Sequence, residues 1–310
     1  MKKYLSNFLN APGIVFFLVM LYPAIAGEKA ALMESKYFLA EFPKGQEQAA
    51  QYYLALAEKA REEVNRKVSS PLEEQVKIVY CSTESDFLRA SGVKPEHYLA
   101  CASARKRMIY INGQLIRTVE PEEPFSIILH EYAHVYLGLK VAEPLPRWLN
   151  EGLAMHLARD WSLPDSFRLS LAHLLGKTIP FSRLESGFPS ESSAISLAYL
   201  QSYSMTDFIM KRFFGGGGLQ PFLRRLTDPA EGTRIVVQLQ DPIIRKSLEE
   251  QWKKQLGSWW RNLFYILTSG SLLWFALASL FLFAYAKKRQ QQKRQIKIWE
   301  EEEFDGSSPL

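Results

Sequence analysis

His130, Glu131 and His134 stand in the stretch His130-Glu131-Tyr132-Ala133-His134, an HExxH pattern. On an α-helix, residues i and i+4 project from one face, so two imidazoles at this spacing can hold one metal ion between them. The intervening carboxylate then lies beside that ion, where it can take a proton from water. Glu151 follows 17 positions after His134, within Pro146-Arg147-Trp148-Leu149-Asn150-Glu151-Gly152-Leu153-Ala154. Pro146 suits the first turn of a second helix, and the apolar residues after it fit one buried face. That helix can bring Glu151 back to the imidazoles as a third ligand. Two His and one Glu, with a fourth position left open, is the ligand set of a catalytic zinc site. A structural site more often closes all four positions, usually with Cys, and neither Cys81 nor Cys101 lies near the motif.

Zinc held in this way activates water and polarises a carbonyl. Glu131 is the candidate general base, receiving a proton from the attacking water and passing it to the leaving amine. His130, His134 and Glu151 are the candidate metal ligands. His156, five residues beyond Glu151, falls off the ligand face by helical geometry and reads as structural, while His97 and His173 have no supporting neighbours.

HEYAH followed by PRWLNEGLA resembles the gluzincin zinc metallopeptidases, specifically the bacterial peptidase-MA-like domains, and Ala198-Tyr199-Leu200-Gln201-Ser202-Tyr203 is also similar to theirs. The resemblance runs from about Val76 to Leu256 and is strongest between Ile127 and Ala158. It implies zinc, hydrolysis of peptide bonds in a peptide or protein substrate, and an α+β zincin-like domain with a small mixed sheet, an HExxH helix and a helical C-terminal part. It also implies a tyrosine or histidine, downstream of the third ligand, that donates to the oxyanion. Tyr203 is the candidate and Tyr199 its rival. Finally, it implies an edge strand before the metal helix that pairs with the substrate backbone, here Met108 to Asn112.

The elements that must position these groups are legible in outline. Ala30 to Val68 reads mostly as helix, with Ala49, Tyr53, Leu56, Ala60 and Val64 near helical spacing, and Ser69-Ser70-Pro71 ends it. Gln75–Tyr80 is rich in β-formers, and Ser82–Ala90 suggests a short helix. Tyr98–Ala104 and Met108–Asn112 suggest two further strands around the basic turn Arg105-Lys106-Arg107. Glu120-Pro121-Glu122-Glu123-Pro124 opens the metal helix, with proline and acidic residues suited to its first turn and Gly138 as its stop. Ala198–Phe214 reads as helix, and the glycines from Gly215 to Gly218 as its stop and a connector. Strands followed by helices are an α+β layout. Cys81 and Cys101 flank a strand-helix-strand unit, so either a disulfide or two buried thiols fits the sequence.

The ends of the chain carry other signals. Lys2 and Lys3, the apolar stretch Ile14–Tyr22 and the triplet Ala24-Ile25-Ala26 fit a signal peptide over residues 1–26, with a mature start at Gly27. Residues 27–75 then form an N-terminal helical segment and 76–257 the peptidase-like domain. Leu263 to Ala286 is 24 residues without a charge, which predicts a transmembrane helix after Trp252, Trp259 and Trp260. Lys287, Lys288 and Arg289 follow it, so residues 287–310 are expected as a cytoplasmic tail, solvated at its acidic end from Glu300 to Asp305, with the domain outside the membrane. The net charge of +5 is modest. Its basic residues cluster at the N-terminus and near the apolar run, which favours membrane lipid over nucleic acid as a partner.

The sequence therefore predicts a membrane-anchored zinc metallopeptidase. The alternatives are a catalytically inactive zincin-fold binding or scaffold protein of the cell envelope, an intramembrane metalloprotease, and a hydrolase of non-peptide amides. An intact HExxH with its downstream Glu weighs against the first. The polar interruptions of Ser126–Val141 weigh against the second.

Overall fold

Phe38, Ala40 and Phe42 are buried while Leu39 and Glu41 between them are not, the period-two pattern of a half-buried strand. This strand belongs to a six-stranded sheet made of β1 (Phe17–Tyr22), β2 (Ala30–Glu34), β3 (Phe38–Pro43), β4 (Val76–Cys81), β5 (Ala100–Ser103) and β6 (Met108–Asn112), in the order β1-β2-β3-β4-β6-β5. β1, β2 and β3 pair antiparallel, β3-β4 and β4-β6 pair parallel, and β5 returns antiparallel to β6. The structure is a computed structural model, and it describes residues 17–22, 30–93, 98–120, 123–158, 161–189, 191–213, 218–268 and 270–305.

The sheet corrects two expectations and decides between the two alternatives left open for the cysteines. Ala30 to Pro43 forms two strands, and only Glu47–Lys67 (α1) is helix, because the alternation in Phe38–Pro43 buries one face against the core. Met108–Asn112 is not the edge strand: it lies between β4 and β5, and Ala100–Ser103 forms the edge. That interposition also separates the cysteines. Cys81 is on β4 and Cys101 on β5, two strand spacings apart, beyond the reach of a disulfide, and both thiols are free. Burial pushes each thiol up to about 12.

The helices follow the sheet. α2 spans Glu84–Ser91, capped by the Thr83 hydroxyl, which accepts from the Asp86 N–H. Next come α3 (Glu123–Lys140), α4 (Arg147–Ala158), α5 (Leu163–Leu174), the short α6 (Phe181–Leu184) and α7 (Ser192–Phe213). α8 (Leu219–Leu226), α9 (Pro229–Gln240), α10 (Pro242–Thr268) and α11 (Ser271–Asp305) complete the order. α3 packs on α1, on β5 and on α4, and α4 in turn packs on α7. Gly138 does not end α3. A β-carbon there would stand 2.3 Å from the Ala104 Cβ, so this glycine lets the helix approach the sheet edge, and α3 runs on to Lys140.

The chain divides into two units, Met1–Lys253 and Lys254–Leu310. In the second, the apolar run Leu263–Ala286 is not one helix. α10 ends at Thr268, Gly270 adopts a φ of +81°, and α11 begins at Ser271. Ser271 to Ala286 falls short of the roughly 20 residues that span a bilayer. Among the described residues no helix is long and apolar enough to cross a membrane. This overturns the expected C-terminal transmembrane helix, the membrane-lipid contact through it, and the single-pass location with the domain outside and the tail inside. The fold is mixed α+β, with a small sheet and helical regions consistent with a zincin-like domain. α11 continues as helix to Asp305, through most of the segment expected as a solvated tail. Phe17–Tyr22, within the expected leader, forms β1, and the triplet Ala24-Ile25-Ala26 lies outside the described residues.

Candidate metal centre

α3 starts with Glu123 and Pro124 in its first turn, where negative charge and a missing N–H both suit a helix N-terminus. Ile128, Leu129, Tyr132, Ala133, Val135, Tyr136 and Leu137 are buried, and the Tyr132 ring packs 5.6 Å from that of Phe38 on β3. These contacts fix the rotation of the helix and turn His130 and His134 to the opposite side, half-buried. α4 follows Pro146, whose carbonyl accepts from the Leu149 and Asn150 N–H groups. Trp148, Leu149 and Leu153 are fully buried, and Gly152 brings the backbone of α4 against Ser202 and Thr206 of α7. Glu151 is thereby delivered, buried, to the two imidazoles.

The ligand atoms form a near-regular triangle. His130 Nε2 and His134 Nε2 are 3.0 Å apart, and Glu151 Oε2 is 3.4 Å from each. Ligands at about 2.0–2.1 Å around a tetrahedral zinc are separated by about 3.3 Å, so the three atoms match one face of such a tetrahedron. Glu151 Oε2 is also buried without a hydrogen bond, so its desolvation is offset only by positive charge on the neighbouring imidazoles or on a cation held between the three atoms. The donor set and its spacing therefore fit zinc.

The charges are strongly coupled. Burial alone would hold Glu151 up, but the two histidines outweigh it and keep its carboxyl well below the usual range. Burial likewise disfavours charge on His134, yet Glu151 beside it wins and raises that imidazole to about 9. Burial pushes Glu131 up, against the pull of His134 and His130 and of the Ala102 N–H that donates to its carboxylate. A carboxyl held above its ordinary value is a better proton acceptor than a solvated one.

The two tyrosines of α7 have different surroundings. The Tyr199 ring stands edge-on to His130, with centroids 6.4 Å apart. Burial first, then the Glu151 and Glu131 carboxylates, push its phenol up, so it remains a protonated donor. Tyr203, one turn on, is stacked between His156 at 3.7 Å and Trp161 at 4.6 Å. His156 Nε2 also meets the Tyr203 carbonyl at 3.2 Å, and burial lowers this imidazole to about 4, as befits a structural histidine. His173 is on α5, and His97 lies outside the described residues.

Sequence reasoning passed over Arg147 and Phe188. Arg147 Nε is 3.7 Å from Glu151 Oε1, and its guanidinium lies 5.1 Å above the Phe188 ring centroid. Its spacing of four from Glu151 was a usable signal, since both project from one helix face. Phe188 comes from the segment before α7, and nothing local in the sequence marks it.

Neither protein-family models nor curated proteins match this chain. Among the described residues, His130, His134 and Glu151 form a group that could hold a metal ion, with ligand atoms within 4.8 Å of one another. Such a triad in an α+β fold is consistent with the zincin-like metallopeptidase superfamily, without pointing to one family within it.

Proposed function

We propose that this chain is a zinc-dependent metallopeptidase that hydrolyses peptide bonds by water attack. The observation that carries the reading is the triangle of His130 Nε2, His134 Nε2 and Glu151 Oε2, with edges of 3.0–3.4 Å, beside the Glu131 carboxyl. Zinc bound by these three groups would supply Lewis acidity, lowering the pKa of water and polarising the scissile carbonyl.

The chain's own groups divide the remaining work. Glu131 accepts the proton of the attacking water and delivers it to the leaving amine. Tyr199, rather than Tyr203, supplies the phenolic hydroxyl to the developing oxyanion, a reading supported by its ring contact with His130. β5 is the sheet edge next to α3, and Ala100 and Ala102 occupy non-hydrogen-bonded positions opposite β6, so their backbone groups face away from it. The Ala102 backbone favours the charged form of Glu131. The Ala100 N–H and the two carbonyls suit an extended substrate backbone added to the edge.

Metal content of the purified full chain tests the site. One zinc per wild-type chain, lost in Glu151→Gln, together with cleavage in a peptide library that Glu131→Gln abolishes, is the expected result. A wild-type chain that takes up no zinc on reconstitution at neutral pH would instead favour a metal-free binding module.

A further inference from the structure

Arg147 is the first residue of α4, and its N–H donates to the Glu185 carbonyl at 3.2 Å, which anchors the base of the side chain. Its tip is held less firmly. The guanidinium Nε reaches Glu151 Oε1 only at 3.7 Å, longer than a charge-assisted hydrogen bond, and the side chain is 38% exposed. Phe188 lies beneath it at 5.1 Å. That ring is edge-on to Tyr199 with centroids 5.1 Å apart, and Tyr199 is edge-on to His130. Arg147, Phe188, Tyr199 and His130 therefore form one continuous wall leading to the candidate metal centre.

Glu151 cannot fully compensate Arg147. Its Oε2 faces both imidazoles, and a carboxylate whose charge is shared with them and with a bound cation has little left for a guanidinium. Glu185, whose carbonyl accepts from the Arg147 N–H, has its own carboxylate engaged by Arg245. A planar cation that is partly desolvated on an aromatic face, pre-oriented and under-compensated, is a receptor for a planar anion, and guanidinium matches carboxylate in bidentate geometry.

We infer that Arg147 selects substrates by a carboxylate close to the scissile bond, either the free C-terminus of a peptide or an acidic side chain. This inference rests on the peptidase reading for its substrate class, and binding tests it separately from turnover. The probes are acetylated tetrapeptides of alanine and phenylalanine. One ends in a free carboxylate, one in an amide, and amidated versions carry a single glutamate at each position in turn. Their affinities are measured on the zinc-loaded full chain in a Glu131→Gln background, which stops turnover, with Arg147 intact or changed to Gln or Lys.

With Arg147 intact, a carboxylate-bearing peptide should bind about tenfold more tightly than the neutral amide, the scale of one charge-assisted hydrogen bond. Arg147→Gln should erase that preference at unchanged zinc content, and Arg147→Lys should restore part of it. Preference for the free terminus alone assigns the C-terminal carboxylate. Preference for one glutamate position assigns an acidic side chain. Equal binding of all peptides, preference that survives in Arg147→Gln, or loss of zinc from both Arg147 variants would overturn the inference, the last because it would make Arg147 a support for Glu151. Cleavage by the wild-type chain without carboxylate preference sinks only this inference. Carboxylate-selective binding with no cleavage sinks only the peptidase reading.

Discussion

A β-carbon on Gly152 would stand 2.2 Å from the Thr206 hydroxyl oxygen and 2.5 Å from the Ser202 carbonyl oxygen, so the helix carrying Glu151 meets α7 through bare backbone. The placement of the adjacent Glu151 therefore depends on a residue with no side chain. Gly152→Ala must push α4 away from α7, because the Ser202 carbonyl cannot rotate aside. The expected cost is about 1–3 kcal/mol of stability, read by urea unfolding, together with weaker zinc retention in competition with a chelator. Stability and zinc retention equal to wild type would show that α4 tolerates the shift.

Tyr199 and Tyr203 are one turn apart, and they separate in a paired substitution. Tyr199→Phe should lower kcat by roughly 100-fold, the scale of losing one oxyanion donor, with zinc content unchanged. Tyr203→Phe keeps the ring between His156 and Trp161 and should turn over at close to the wild-type rate. The reverse ranking would return the oxyanion role to Tyr203.

His156 titrates at about 4 in the folded chain, below its ordinary 6.5, because burial disfavours its charge. A depressed histidine contributes stability that is complete above the unfolded pKa and disappears as pH falls through the folded one. The window is therefore pH 6.5 down to about 4, and the contribution is up to about 3 kcal/mol. His156→Phe keeps an aromatic ring against Tyr203 but cannot be protonated. The difference in unfolding free energy between wild type and this variant, followed from pH 7.5 to 4, should change across that window. A constant difference would mean that His156 is not buried neutral.

Zinc and folding should be linked, since the three ligand atoms converge only in the folded chain. Zinc at about 1,000 times its dissociation constant stabilises by about 4 kcal/mol. The melting temperature should rise on zinc addition and fall on chelation in the wild type, and neither should move it in His134→Ala. A zinc-dependent shift that persists in that variant would place the binding elsewhere.

The sequence by itself determined the placement that depends on short, periodic spacing. His130 and His134 share a helix face because 3.6 residues make a turn, and Pro146 marks where the helix carrying Glu151 begins. The strands Val76–Cys81, Ala100–Ser103 and Met108–Asn112 were visible as β-rich runs between turns. Only the tertiary structure decided matters that distant residues settle together. Ala30–Glu34 became a strand because the sheet offered it a pairing partner on each side, not because its composition disfavours helix. Ala100–Ser103 rather than Met108–Asn112 became the edge because β6 inserted beside β4, and the same insertion parted Cys81 from Cys101. The apolar run from Leu263 was cut at Gly270, where a left-handed residue ends one helix before another starts; composition alone counts the charges on either side and misses the turn. Tyr199 and Tyr203 look alike in a linear string. They part company because one faces His130 while the other is stacked on His156, and which neighbour each meets is fixed by packing among helices far apart in sequence, not by local propensity.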